Sequence, residues 1–332
     1  MKEKEALFGV KEGDKIRCTL CPHRCLLPEN SVGVCRTRKN SKGKLVTLIY
    51  GCVSSLALDP IEKKPLYHFY PGKDILSAGT VGCNFHCPYC QNWQISQDVE
   101  AACSYISPEE LVDRALKENS IGIAFTYSEP LIWYEYVRDS AEFCRKKNLK
   151  NVLVTNGYIE PKPLKELLPL IDAMNIDLKS FREDYYRRLC GGSLEPVLNT
   201  IRLSSRHCHV ELTNLIVPGE NDSVQEIEEM CKWIEKEIGK DTPFHISKYF
   251  PNYKFDIPFT SDTILERAYS IAKRYLSYVY IGNTYLPGTS DTKCPSCGEI
   301  LVERSGYNTR IVSVKDNKCL KCGQKIKIIM DK

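Results

Sequence analysis

Seven short apolar runs punctuate the middle of this 332-residue chain, and the stretches between them carry helical periodicity. The runs are Ile75–Thr80, Ile121–Tyr127, Asn151–Thr155, Ala173–Asp177, His209–Val217, Phe244–Lys248 and Tyr278–Ile281. Among the intervening stretches, Ser107-Pro108-Glu109-Glu110 reads as a capping box with proline in the first helical turn. It opens a helix through Leu111, Ala115 and Leu116. Asn221-Asp222-Ser223 precedes Val224–Ile238, where Ile227, Met230, Trp233 and Ile234 recur at helical spacing. Strand–helix alternation repeated roughly six times implies a parallel sheet, closed or partly closed into a barrel. The expected fold is therefore α/β, a partial (β/α)6 TIM-like barrel over residues 75–287. A Cys-rich N-terminal segment (1–74) and a small C-terminal appendage (288–332) flank it. Ligands of such a sheet bind at the carboxyl ends of the strands, so motifs at those ends carry the functional reading.

The hydrophobic fraction of 42% suits an ordinary soluble core. No run approaches the ~18 apolar residues of a membrane span. The start, Met1-Lys2-Glu3-Lys4-Glu5, lacks the apolar stretch of a signal peptide, which makes a cytoplasmic location the expectation. Lysine and arginine number 46 against 42 acidic residues, and a net charge of +4 is too small to argue for nucleic acid or a membrane surface. The basic run Arg36-Thr37-Arg38-Lys39-Asn40-Ser41-Lys42 reads as a solvated loop.

Cysteine is the compositional outlier, with 17 copies. Three tight groups account for most of them, while Cys52, Cys103, Cys144, Cys190, Cys208 and Cys231 are scattered. Clustered thiols at short spacing in a reducing compartment point to metals rather than cystines. The scattered six read as small core residues.

The central group, Cys83-Asn84-Phe85-His86-Cys87-Pro88-Tyr89-Cys90, directly follows the first predicted strand of the barrel. Three thiolates at this spacing can hold three irons of a cubane cluster and leave one open for an exogenous ligand, whereas four would close it for electron transfer alone. A zinc site completed by His86 is the competing reading. C-x3-C-x2-C with an aromatic before the last cysteine resembles the radical S-adenosylmethionine (SAM) superfamily. The resemblance implies a 4Fe-4S cluster on Cys83, Cys87 and Cys90, SAM chelated to the open iron, and Tyr89 against the adenine. It also implies reductive SAM cleavage to a 5′-deoxyadenosyl radical.

Further strand-end motifs extend the resemblance. Thr126-Tyr127-Ser128-Glu129-Pro130 is similar to the Gly-Gly-Glu-Pro element that binds the methionine amino group, with Thr126 and Glu129 as the matching positions. Val154-Thr155-Asn156-Gly157 and Asn175-Ile176-Asp177-Leu178-Lys179 resemble elements of glycyl-radical-enzyme activating proteins. There Thr155, Asn175 and Asp177 fall at or beside a monovalent-cation site, although Asn156-Gly157 alone reads equally well as a turn. His245 matches a sixth-strand histidine near the ribose, and a satisfied core histidine is the alternative.

Cys294-Pro295-Ser296-Cys297-Gly298 and Cys319-Leu320-Lys321-Cys322-Gly323 form two knuckles separated by a hairpin-sized stretch. They read as a zinc-ribbon or rubredoxin-like clip, with zinc favoured over iron. Cys18, Cys21, Cys25 and Cys35 offer a second site for either an auxiliary iron–sulfur cluster or zinc. All three parts together, including Asp59-Pro60-Ile61-Glu62-Lys63-Lys64-Pro65-Leu66-Tyr67-His68, resemble the AmmeMemoRadiSam-system radical SAM enzymes, relatives of pyruvate formate-lyase activating enzymes. That likeness implies Memo-like and Amme-type partners, an external reductant such as flavodoxin or ferredoxin, and hydrogen abstraction from a protein or peptide. Radical modification of a small molecule or RNA is a second reading. A non-catalytic electron-transfer or metal-relay protein is a third.

Overall fold

Residues buried on both sides make each apolar run a strand of one sheet, as parallel strands covered by helices must be. The computed structural model describes residues 3–330, so Met1 and Lys2 of the charged start lie outside it. Numbered along the chain, the main sheet comprises β1 (Ser55–Pro60), β2 (Asp74–Gly79), β3 (Gly122–Thr126), β4 (Lys150–Thr155), β5 (Ala173–Asp177), β6 (His209–Ile216), β7 (Phe244–Lys248) and β8 (Val279–Gly282). Strands β2 to β8 pair in parallel and in chain order, and β1 joins the β2 edge antiparallel. Among the described residues no ladder joins β1 to β8, so the sheet stays open.

Helices α1 (Pro108–Lys117), α2 (Tyr134–Lys146), α3 (Pro161–Leu167), α4 (Leu194–Ser205), α5 (Val224–Ile238) and α6 (Asp262–Ala272) occupy the connections between successive parallel strands. The capping box at Ser107 is formed, with reciprocal bonds between Ser107 and Glu110. Ser223 caps α5 through the amide of Glu226. The expected alternation is thus present, with a seventh parallel strand after the sixth helix.

The end of the sheet opposite the carboxyl mouth is plugged by residues 61–70, and one carboxylate holds the plug. Glu211 on β6 is fully buried. It accepts the backbone amides of Tyr67 (2.9 Å) and His68 (2.7 Å), and the ring nitrogens of His209 (2.9 Å) and His245 (2.6 Å). Burial works to raise the Glu211 pKa, but the hydrogen bonds from His209 and His245 outweigh it and hold the carboxyl well below its usual range. His68 extends the network. Its Nδ1 faces the Lys327 carbonyl (2.8 Å), which can only accept, so that nitrogen carries the proton and Nε2 accepts from the Tyr280 hydroxyl (2.6 Å).

The C-terminal unit is built onto this plug. Strands β9 (Ile300–Ser305) and β10 (Asn308–Ile311) form the expected hairpin. Leu301, Val302, Ile326 and Ile328 pack with Tyr278 and Tyr280 at the edge of the sheet. Arg304 donates to the Tyr67 carbonyl (2.7 Å), and Ile329 exchanges backbone hydrogen bonds with His68 and Tyr70.

Two expectations need correction. The basic run is not a solvated loop: Arg38–Ser41 is a strand paired with Lys44–Thr47, and Arg38 is only 1% exposed. Its guanidinium meets Glu135 of α2 at 2.6 Å and the Leu7 carbonyl at 2.7 Å. A buried cation is tolerable with that pairing. The scattered cysteines are also not all free. Cys52 and Cys103 form a disulfide, because antiparallel pairing of Ser104–Tyr105 with Cys52–Val53 carries the two together. Cys144, Cys190 and Cys231 are buried free thiols and Cys208 is partly buried. The N-terminal segment shares the barrel's core through Ile16, Leu20, Leu45 and Ile49, and β1, within residues 1–74, belongs to the main sheet.

Burial pulls the His68 pKa down to about 4. An unfolded histidine takes up a proton near pH ~6.5, and the folded ring takes it only near pH ~4, so stability should fall as pH drops through this window. The depressed Glu211 carboxyl adds to the loss at its lower end. Urea midpoints measured from about pH 7.5 to 4.5 should decline. His68→Gln should start less stable and decline less steeply. An equal slope in the variant would mean that His68 does not carry the effect.

Candidate active site

The carboxyl mouth of the sheet opens into a cavity of about 280 Å³. Its wall contains Cys83, Cys87 and Cys90 on one side and Thr126, Tyr127, Ser128 and Glu129 beside them. Val154, Thr155, Asn156, Asp177, Lys179, Thr213, Leu215 and Ser247 complete it from later strands. The three-cysteine loop leaves β2 through Gly82, whose φ of +84° suits glycine. A Cβ there would also stand 2.4 Å from Thr37 Cγ2 and 3.0 Å from the Cys35 carbonyl oxygen.

The sulfurs of this loop are prepared as acceptors. The Phe85 amide donates to Cys83 Sγ (3.3 Å), and Ser96 Oγ and the Asn92 amide face Cys90. A hydrogen bond with Cys190 chiefly lowers the Cys87 thiol to about 7, with Lys179 contributing, while burial raises Cys83. Three sulfurs with donors at the cavity wall fit a ligand set of thiolates. Tyr89 is buried, and its hydroxyl accepts from Tyr185 (2.8 Å).

Glu129 stands where β3 turns into a short helix beginning at Pro130. It is 1% exposed. Its carboxylate accepts the Leu131 amide (2.9 Å), the Thr155 hydroxyl (2.6 Å) and the Asn156 amide (2.8 Å). Burial dominates over these bonds and pushes its pKa up to about 7. A carboxylate offers roughly four acceptor positions, so one remains for a further donor. A cationic donor would relieve the cost of burial. Asn156 then links this group to the cysteine loop, donating to Asn84 Oδ1 at 2.9 Å.

Asp177 and Lys179 pair at 2.8 Å. Burial disfavours the Lys179 charge, but Asp177 and the nearby thiols hold its pKa well above the usual value. The structure gathers Cys83, Cys87, Cys90, Tyr89, Thr126, Glu129, Thr155 and Asp177 around one cavity. Asn175 and His245 do not line it. Asn175 donates to the Pro65 carbonyl (2.8 Å) and accepts from Thr213 (2.9 Å), while His245 serves Glu211. Sequence reasoning missed Asn84 and Glu211, and it left Asn156-Gly157 open between a strand-end motif and a turn. A charged Glu211 inside the apolar run of β6 was the available signal.

Comparisons with known proteins agree with this geometry. Residues 78–234 match the Radical SAM superfamily. An uncharacterized protein of Methanocaldococcus jannaschii is 43% identical over 335 residues, covering 98% of this chain and 100% of that one. The pyruvate formate-lyase 1-activating enzyme of Escherichia coli K12 is 26% identical over 148 residues, 42% of this chain and 60% of its own length. The (2S)-3-sulfopropanediol dehydratase activating enzyme of Klebsiella oxytoca is 24% identical over 251 residues, 70% of this chain and 76% of that protein. In fold, the chain is similar to Streptococcus suis SuiB bound to S-adenosylmethionine, with a TM-score of 0.50 at 12% identity over 65% of this chain and 50% of SuiB. The chain belongs to the radical SAM superfamily. Within it, it is related to the pyruvate formate-lyase activating enzymes.

Proposed function

We propose that this protein cleaves SAM reductively and uses the resulting radical to abstract hydrogen from a protein or peptide substrate, as an activase-like member of its superfamily. The observation that supports this best is the meeting of three donor-supported cysteines, Tyr89 and a buried, incompletely satisfied Glu129 around one cavity. A 4Fe-4S cluster held there would supply the electron for reductive cleavage of the C5′–S bond of SAM to methionine and a 5′-deoxyadenosyl radical.

The chain's own residues supply placement. Cys83, Cys87 and Cys90 would hold the cluster. Glu129 offers its last acceptor position to the methionine ammonium, and Tyr89 packs against the adenine. Thr155 and Asn156 orient Glu129 by the bonds described above. A low-potential donor such as flavodoxin or ferredoxin supplies the electron. Membership of an AmmeMemoRadiSam system, with Memo-like and Amme-type partners, is part of the same proposal and rests on sequence resemblance.

The C-terminal cysteines are assigned a structural zinc. Cys294, Cys297, Cys319 and Cys322 bring their sulfurs within 4.8 Å of one another, with separations of 3.6 Å for Cys294–Cys322 and 3.8 Å for Cys297–Cys319. Bonds of about 2.3 Å to one tetrahedral ion give sulfur–sulfur edges of about 3.8 Å.

Anaerobically reconstituted protein with SAM and dithionite should release 5′-deoxyadenosine. The Cys83→Ala/Cys87→Ala/Cys90→Ala variant should release none, and continued release would sink the central reading.

Glu129→Gln should keep the cluster spectrum and lose affinity for SAM. One charge-assisted hydrogen bond is worth roughly 1.5–3 kcal/mol, so the Kd should rise about tenfold to a hundredfold. An unchanged Kd would remove Glu129 from the binding site.

Zinc analysis of the triple cysteine variant should find about one ion per chain, lost on further replacing Cys294 and Cys297. Iron–sulfur absorption that disappears with those two cysteines would overturn the zinc assignment.

A further inference from the structure

Every cysteine group in this chain uses one local device. The backbone amide two residues ahead donates to the sulfur at Cys83 (from Phe85), Cys90 (from Asn92), Cys297 (from Glu299) and Cys322 (from Gln324). The same device recurs at the N-terminus, where the Leu20 amide serves Cys18 and the His23 amide serves Cys21. The remaining two sulfurs there also have donors. Val34 N lies 3.4 Å from Cys25 Sγ, and Thr37 Oγ1 lies 3.3 Å from Cys35 Sγ. All four sulfurs are therefore served as acceptors, the state in which a thiolate binds metal.

The backbone brings the four together. Cys18 N donates to the Cys25 carbonyl at 2.9 Å, and the Val34 bond to Cys25 carries the adjacent Cys35 to the same place. None of the four is disulfide-bonded, and Cys18 and Cys35 are buried.

The spread of the sulfurs selects the metal. Among the described residues, the ribbon cysteines are the only group whose sulfurs crowd within 4.8 Å, as one tetrahedral ion demands. The N-terminal four do not meet that limit, and neither do Cys83, Cys87 and Cys90. Thiolates of a cubane each sit on a separate iron and stand farther apart than those around a single ion. We propose that Cys18, Cys21, Cys25 and Cys35 hold a second, fully ligated iron–sulfur cluster. It would lie against the loop of the first: His23 Nε2 is 2.7 Å from the Asn84 carbonyl, and the Cys35 carbonyl abuts Gly82.

The test uses the full chain, reconstituted anaerobically with iron and sulfide. The Cys83→Ala/Cys87→Ala/Cys90→Ala variant should retain about four iron and four sulfide per chain, with iron–iron scattering in its X-ray absorption spectrum. Adding Cys18→Ser and Cys21→Ser should remove that iron and spare the ribbon zinc. The unsubstituted protein provides a check that no misfolded variant can confuse, because it should carry about eight iron rather than about four. A second zinc in place of the iron, or about four iron in the unsubstituted protein, would overturn the proposal. SAM cleavage enters none of these readouts, so the outcome is independent of the function proposed above.

Discussion

One buried carboxylate decides how the parts of this molecule are joined. An ionised Glu211 inside the sheet is tolerable only because four donors converge on it, two from the backbone at Tyr67 and His68 and two from histidine rings. Those two amides fix the plug in the lumen, and the plug in turn anchors Arg304 and the tail near Ile329. The sheet, the segment 61–70 and the C-terminal unit are thereby parts of one polar network. The same network explains why His245 is unavailable to a ligand at the mouth.

The two ends of the lumen use polar groups differently. Around Glu211 the acceptor positions are filled by two backbone amides and two histidine rings. Around Glu129 three donors leave a vacancy in the acceptor count, and burial raises the pKa to about 7. Alternation along β6 and β7 connects these regions, since Glu211, Thr213 and Leu215 share one face, as do His245 and Ser247. A satisfied end stiffens the scaffold, and an unsatisfied end is ready for a cationic ligand.

Much of this was legible in the sequence because it rests on local pattern. All seven apolar runs became parallel strands, and the Ser107 and Ser223 caps were readable from side chains a few residues apart. Spacing singled out Cys83, Cys87 and Cys90 and resemblance singled out Glu129, and the structure gathers all four at one cavity. What escaped depends on contacts between residues far apart in the chain. Arg38 looks solvated until Glu135, 97 residues later, is placed beside it. Cys52 and Cys103 look unrelated until a two-residue strand pairing joins them. Asn175 and His245 sit on the correct strands, but their depth in the lumen follows from where the plug ends, which no periodicity reveals.

The tail's return to the plug also sets an order of assembly. Ile329 bonds to His68 and Tyr70 across about 260 residues, after every strand of the sheet has been made. On the ribosome, the lower mouth of the lumen is therefore unsealed while the whole sheet emerges. Glu211 and its histidines can meet the plug early, but the His68 ring gains its Lys327 acceptor only when the ribbon docks. The C-terminal unit thus acts as a late fastener, arriving after the sheet and closing the end of the molecule opposite the carboxyl mouth.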